Sequence, residues 1–351
     1  MPTKSILNLD LKELEKILSR WGEKRFHARQ VFSWIYQKRA RDFDKMSDLS
    51  TGLRKKLTEN FSILDLEVIK RLESSDGTKK LLFKLNDGNA IEAVNIPAEK
   101  RITACVSTQV GCKFACGFCA SGMLGFKRNL EAAEIIQQAL ILQDEAGQRL
   151  NNLVFMGIGE PLDNYDNVLK AIKIINAPWS LNIGARKITI SSSGFIPGIK
   201  RLMEEKLQTE LSVSLHAVDD KTRSTLMPIN KKYPLKDLIA VIKEYIRKTN
   251  RQVTFEYILI EGLNSDVASA KALGKLLKGL VCKVNLIPCN PIAELGFAPP
   301  GKLAILLFKN ELSKQGIDCT LRMPRGRDIQ AACGQLSLGG ELKAKRPVFG
   351  L

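Results

Sequence analysis

The sequence predicts an α/β protein, a partial (β/α)6 barrel preceded by a helical N-terminal segment and a small β segment. Three observations carry that prediction. After Pro97, short β-rich runs alternate with stretches of helical period, the pattern of parallel βα units. Between Phe61 and Pro97 the runs shorten and alternate, broken by Ser74-Ser75-Asp76-Gly77 and Asn86-Asp87-Gly88, both hairpin signals. Before that, Leu11, Leu14, Ile17 and Leu18, then Val31, Phe32, Ile35 and Tyr36, recur at helix spacing. The chain therefore divides into a helical accessory segment at 1–60, a β segment at 61–97, the barrel at 98–335 and a tail at 336–351 in which no element is legible.

Taken in order, residues 1–60 carry 14 Lys and Arg against 8 Asp and Glu, with Arg25, Arg29, Lys38, Arg39 and Arg41 crowding one stretch. Trp34 and Phe26 fall at helix spacing, where aromatics pack into a core. In the β segment, Glu92 lies on its last run, and spacing alone makes it an outward polar position. The barrel strands are expected at Ile102–Ser107, Asn152–Met156, Lys187–Ser191, Glu210–Leu215, Val253–Ile260, Cys282–Ile287 and Asp318–Leu321. Helices are expected at Leu130–Gln143, Asn164–Asn176, Lys236–Thr249, Ser265–Lys278 and Gly301–Gln315. Asp163 or Asn164 is placed to cap the second of these.

In barrels of this kind the chemistry sits at the carboxyl ends of the strands. After the first strand, Cys112, Cys116 and Cys119 stand in a Cys-x-x-x-Cys-x-x-Cys run. Three thiolates so close suit a soft metal and would leave one iron of a four-iron cluster without a protein ligand. A structural zinc completed by Cys105, or simply reduced thiols, is the alternative reading of the spacing. After the second strand comes Gly157-Ile158-Gly159-Glu160-Pro161. It lacks the third glycine of a dinucleotide fingerprint, but its glycines let backbone approach a ligand and Glu160 can accept from an ammonium. Ser191, Ser214 and His216 end the next two strands, where hydroxyls and an imidazole can hold a nucleoside. Asn290 follows the sixth strand. Near the end, Arg322, Arg325 and Arg327 flank a turn that leads into Cys333-Gly334, a thiol within reach of solvent; Cys282, Cys289 and Cys319 read as core.

The bulk numbers narrow the class. A balance of 54 Lys and Arg against 37 Asp and Glu gives +17, which favours a polyanion such as RNA. No run approaches the roughly 18 apolar residues of a spanning helix and the first residues hold no apolar export signal, so a cytoplasmic location with no membrane partner is expected. The eight cysteines are then expected to be reduced, apart from any catalytic pair.

These residues resemble the dual-specificity ribosomal and transfer RNA adenine-C2 methyltransferases of the radical S-adenosylmethionine class. The resemblance runs through Cys105-Val-Ser-Thr-Gln-Val-Gly-Cys112, Leu124-Gly-Phe-Lys-Arg-Asn-Leu130, Gly159-Glu-Pro-Leu-Asp-Asn-Tyr165, Leu226-Met-Pro-Ile-Asn230 and Ala332-Cys-Gly-Gln335. Its departures are Ile158 and Met323-Pro324. The resemblance implies a 4Fe–4S cluster on Cys112, Cys116 and Cys119, and S-adenosylmethionine held by Gly159, Glu160, Ser191, Ser214, Leu215, His216 and Asn290, two molecules per turnover. One would methylate Cys333. The other would yield a 5′-deoxyadenosyl radical that takes hydrogen from that methyl, and the resulting methylene would add to carbon 2 of an adenosine. Glu92 would then accept the ring proton, and Cys105 would release the product through a passing disulfide with Cys333. The implied partners are 23S rRNA, tRNA through the adenosine 3′ to the anticodon, and an external electron donor such as flavodoxin or ferredoxin. A sibling enzyme that methylates carbon 8, and a non-enzymatic RNA-binding protein with a structural zinc, are the rival readings.

Overall fold

A computed structural model of the chain describes residues 4–292 and 295–336; the tail expected at 336–351 lies, beyond Leu336, outside the described residues. Its centre is one ten-stranded sheet: β1 (Glu67–Glu73), β2 (Lys79–Lys84), β3 (Ala90–Ala98), β4 (Arg101–Cys105), β5 (Asn152–Phe155), β6 (Ile188–Ser192), β7 (Glu210–Ser214), β8 (Val253–Leu259), β9 (Cys282–Pro288) and β10 (Cys319–Leu321). Neighbours in space are neighbours in sequence throughout. Strands β4 to β10 run parallel, and β1 to β4 are antiparallel. The parallel portion is the expected barrel, with each strand within two residues of its sequence reading. Every residue of β8 is buried, as expected for a parallel strand covered on both faces.

The β segment does not form a sheet of its own. Strand β3 pairs with β4 in register Val94↔Cys105, so the hairpins extend the barrel sheet at its first edge. That continuity puts both faces of β3 under cover, and Glu92 is fully buried rather than outward. The outward reading fails because strand alternation predicts exposure only when one face of the sheet is wet.

The helical segment opens with Leu11–Arg20, started by a capping box between Asp10 and Glu13. It buries Leu14 and Leu18, and Phe32 stacks on Trp179 of the barrel with ring centroids 4.8 Å apart. Phe26 is not core but 52% exposed. Trp34 is half-buried, its indole N–H donating to Asp48 at 2.6 Å while the Lys38 ammonium lies 3.6 Å above its ring. Asn164 does sit at the start of helix Tyr165–Asn176 but makes no cap. Its amide instead donates to the carbonyls of Thr108 and Leu130. Cys289 is buried as expected; Cys282 and Cys319 are partly exposed.

Candidate active site

The loop after β4 is built on backbone geometry. A short strand, Gln109–Gly111, pairs antiparallel with Phe126–Asn129. Gly111 adopts φ 73°, and a Cβ there would lie 1.6 Å from the carbonyl oxygen of Gly125, so only glycine closes this turn. The Cys112 amide donates to Gly125 O at 3.0 Å, Gly117 to Leu226 O at 2.8 Å and Cys119 to Cys116 O at 3.1 Å. Cys112, Cys116 and Cys119 thereby line one cleft of about 970 Å³, counting its mouth, the scale of a small-molecule site.

Burial pushes the Cys112 thiol up to about 12, Cys116 well above its ordinary value and Cys119 upward; neighbouring thiolates add to each shift, Cys119 at Cys112, Cys119 and Cys112 at Cys116, and Cys333 at Cys119. Such thiols ionise together only when a cationic centre neutralises them. Three buried thiols on one loop, lining one cleft, are the donor set a 4Fe–4S cluster with one open iron takes, whereas zinc would want a fourth ligand.

The ends of the next strands form the rest of the cleft. Gly157 and Gly159 line it, yet their missing side chains answer to packing: a Cβ would fall 2.7 Å from the Ser107 amide nitrogen or 2.5 Å from the Gln109 Cβ. The pair thus seats the β5 end against the strand that leads into the cysteine loop. Glu160 is buried, and burial raises its pKa. Its carboxylate accepts from the Ser193 amide at 2.7 Å and hydroxyl at 2.8 Å. His216 adopts φ 59°, and its Nδ1 accepts from the Ile258 amide at 3.0 Å. Burial lowers its pKa to about 3, so the ring is neutral with its proton on Nε2. This ring lies perpendicular to Phe118, the residue before the third cysteine, at 4.7 Å between centroids. Ser191 and Ser214 also face the cleft. Leu215 is fully buried and does not line it; its carbonyl accepts from Arg223. Asn290 turns to the Cys333 loop instead, donating to Cys333 O at 3.0 Å and accepting from Arg327 at 3.2 Å.

Cys333 is exposed at the rim. It lines the main cleft with the three cysteines, and also a smaller adjoining hollow that contains Cys105 and Arg322. Cys105 is buried, and desolvation raises its thiol to about 12, with a further push from the neighbouring Cys333 and an opposing pull from Arg322. Glu92 pairs with Lys80 at 3.0 Å, both side chains almost wholly buried.

Two residues at the site, Arg223 and Glu256, went unread in the sequence, while Arg322, read only as part of the turn before Cys333, also reaches the cleft. Arg223 lies in a polar helix, Asp220–Leu226, that reads as surface. In the fold it is 1% exposed and donates to the carbonyls of Ser193, Ser214 and Leu215, joining the ends of β6 and β7. Glu256 and Arg322 point into the cleft from β8 and just beyond β10. A charged residue in a strand buried on both faces is the signal that could have exposed Glu256.

A parallel barrel with a three-cysteine loop at its first strand end and a nucleoside-sized cleft over the others defines a radical S-adenosylmethionine enzyme, whose class supplies a 4Fe–4S cluster and S-adenosylmethionine. Residues 106–270 match the family described as "Radical SAM superfamily". Residues 4–63 match "Ribosomal RNA large subunit methyltransferase N-terminal domain". The chain is 48% identical over 334 residues to a protein of Clostridium perfringens (strain SM101 / Type A) named "Probable dual-specificity RNA methyltransferase RlmN", covering 95% of this chain and 96% of that one. The proteins of that name from Thermoanaerobacter sp. (strain X514) and Bacillus cytotoxicus are each 47% identical, with 95% of this chain covered and 97% and 92% of theirs. A crystal structure of a radical SAM methyltransferase from Sphaerobacter thermophilus superimposes with TM-score 0.92 at 44% identity, covering 95% of this chain and 99% of that one. The chain belongs to the RlmN family of dual-specificity RNA methyltransferases.

Proposed function

We propose that the protein methylates carbon 2 of an adenosine in 23S rRNA and of the adenosine 3′ to the anticodon in tRNA, with Cys333 carrying the carbon between cofactor and base. One observation supports this above the rest: Cys333 opens onto both the three-cysteine cleft and the hollow that holds Cys105. Carbon 2 of adenine is electron-poor, so displacement on a sulfonium methyl is closed to it and a radical route is required. The cluster on Cys112, Cys116 and Cys119, when bound, supplies the electron that turns S-adenosylmethionine into a carbon-centred oxidant.

The chain's own residues do the rest. Gly159, Glu160, Ser191, Ser214 and His216 face the cleft where S-adenosylmethionine is held; Leu215 contributes through its backbone, and Asn290 through the loop it ties down. Cys333 Sγ takes a methyl from a first S-adenosylmethionine by displacement, then loses hydrogen from that methyl to a second and bonds through the methylene to carbon 2. Glu92 accepts the carbon-2 proton, and the one electron left unpaired in the ring by the addition passes to an external one-electron carrier, which restores the aromatic ring. The Cys105 thiolate then attacks Cys333 Sγ: a disulfide forms, the carbon–sulfur bond breaks, and its electron pair stays on the product carbon, which takes up a proton. An external electron donor such as flavodoxin or ferredoxin must supply the cluster and later reduce the disulfide.

Residues 1–60 act as a basic accessory unit for RNA, residues 61–97 as the β segment that carries Glu92, and residues 98–335 as the catalytic core. No helix among the described residues is long and apolar enough to cross a membrane, and the substrates belong to the cytoplasm. Digestion of RNA modified by the reconstituted enzyme tests the whole reading: 2-methyladenosine is expected, and 8-methyladenosine alone overturns it in favour of the carbon-8 sibling.

A further inference from the structure

Lysine is among the residues least often found fully buried, because an ammonium taken from water must recover its solvation from fixed acceptors. Lys80 is 3% exposed. It stands on β2 opposite Val94, and Val94 stands opposite Cys105, so Lys80 and Cys105 share one cross-strand row. Glu92 lies two residues along β3 on the same face, a diagonal neighbour within reach of a long side chain. The Lys80 ammonium has two partners: it forms an ion pair with Glu92 Oε1 at 3.0 Å and donates to the Gln330 carbonyl at 3.1 Å, 250 residues further along the chain and three residues before Cys333.

The hairpin that carries Lys80 grips the same loop twice more. Asp76 accepts from the Gly326 amide at 3.0 Å, and Asp328 accepts from the Ser74 hydroxyl at 2.5 Å and the Ser75 amide at 3.1 Å. Those contacts hold the loop but touch no reacting group. Lys80 alone among these contacts joins the loop to Glu92.

We propose that Lys80 is a positioning residue for product release: one ammonium fixes the Glu92 carboxylate relative to the segment that carries Cys333, so that the carboxylate meets carbon 2 once the base is bonded to that cysteine. The inference rests on the reading of Glu92 as proton acceptor. No step is added to the reaction: the proton passes from carbon 2 to the carboxylate, the carbon–hydrogen electron pair stays in the ring, and the single electron left over from the radical addition leaves to the external electron carrier. A misplacement of about 1 Å at such a site costs up to a hundredfold in rate.

The test uses the full-length, cluster-loaded enzyme with an unmodified tRNA transcript, comparing Lys80→Met, Lys80→Arg and Glu92→Gln. Three quantities are read: methyl on Cys333 by mass spectrometry, 5′-deoxyadenosine released in a single turnover, and the lifetime of the covalent protein–RNA adduct. Lys80→Met is expected to acquire the Cys333 methyl and release 5′-deoxyadenosine, while its adduct resolves about tenfold to a hundredfold more slowly; Lys80→Arg, which keeps charge and donors, restores most of the lifetime. A wild-type adduct lifetime in Lys80→Met, with Glu92→Gln slow, overturns the Lys80 inference alone. Loss of Cys333 methylation in both Lys80 variants overturns it too, since Lys80 would then serve the fold rather than release. Normal resolution in Glu92→Gln overturns the proton-acceptor reading itself.

Discussion

Two loops meet at the mouth of the cleft, and they are held in opposite ways. The cysteine loop after β4 is fixed by backbone: glycine where a Cβ has no room, amide to carbonyl bonds at Cys112, Gly117 and Cys119, and most of its partners within fifteen residues. The Cys333 loop, beside a backbone bond from the Ala120 amide to Gly334 O at 2.7 Å, depends on side chains that tie it to remote segments: Asp76, Ser74 and Lys80 on the β1–β2 hairpin, and Asn290 beyond β9. A site that must present three sulfurs to one cluster gains from rigidity. A loop that must receive a methyl, bond a base and then meet a second thiol gains from ties that can be exchanged.

The largest effects should come from the sulfurs that define each loop. Cys333→Ala is expected to reduce methyl transfer to background while retaining iron and sulfide, and alanine at Cys112, Cys116 or Cys119 should lose both; metal analysis beside an activity assay separates the two loops. Cys105→Ala should come next, stopping after one turnover with RNA bonded to Cys333, seen as a shifted band on a denaturing gel. Free turnover in that variant would remove the passing disulfide from the mechanism.

A moderate effect is expected from the backbone-held loop. Gly111→Ala forces a side chain into 1.6 Å from Gly125 O at φ 73°, which should cost roughly 3 kcal/mol of stability and lower iron content. Unchanged thermal unfolding and iron content would mean that the turn is not fixed as described.

The smallest effect belongs to the remote ties. Burial opposes ionisation of Asp76, but hydrogen bonds from Thr78 and the Gly326 amide outweigh it and hold the carboxyl at about 2, below its usual 3.8. A carboxyl depressed in the folded state contributes stability above its ordinary pKa and loses it as pH falls through the folded one. Protection of the Gly326 amide from hydrogen exchange should therefore weaken between about pH 3.8 and pH 2, and Asp76→Asn should show no such loss.

The same contrast explains what could be read from the sequence. The barrel strands emerged within two residues and the helices within three, because periods of 2.0 and 3.6 are local properties. The cysteine loop was legible for the same reason, since its spacing is its chemistry. Glu92 was misread because its burial depends on β3 joining β4, a pairing no local pattern announces. Gly157 and Gly159 do line the cleft, but that Ser107 and Gln109 leave no room for a Cβ there is a packing reason no local pattern carries. Arg223 and Lys80 stayed hidden because an interior cation becomes visible only when its acceptors, brought from distant segments, are in place.

The relay through Cys333 is tested most directly with S-adenosylmethionine carrying a fully deuterated methyl group. If the carbon passes through the cysteine and loses one hydrogen atom there, the 2-methyladenosine released must retain two deuterium atoms, with the third recovered in 5′-deoxyadenosine. A product that keeps all three would contradict the account, since the methyl would then have reached the base intact.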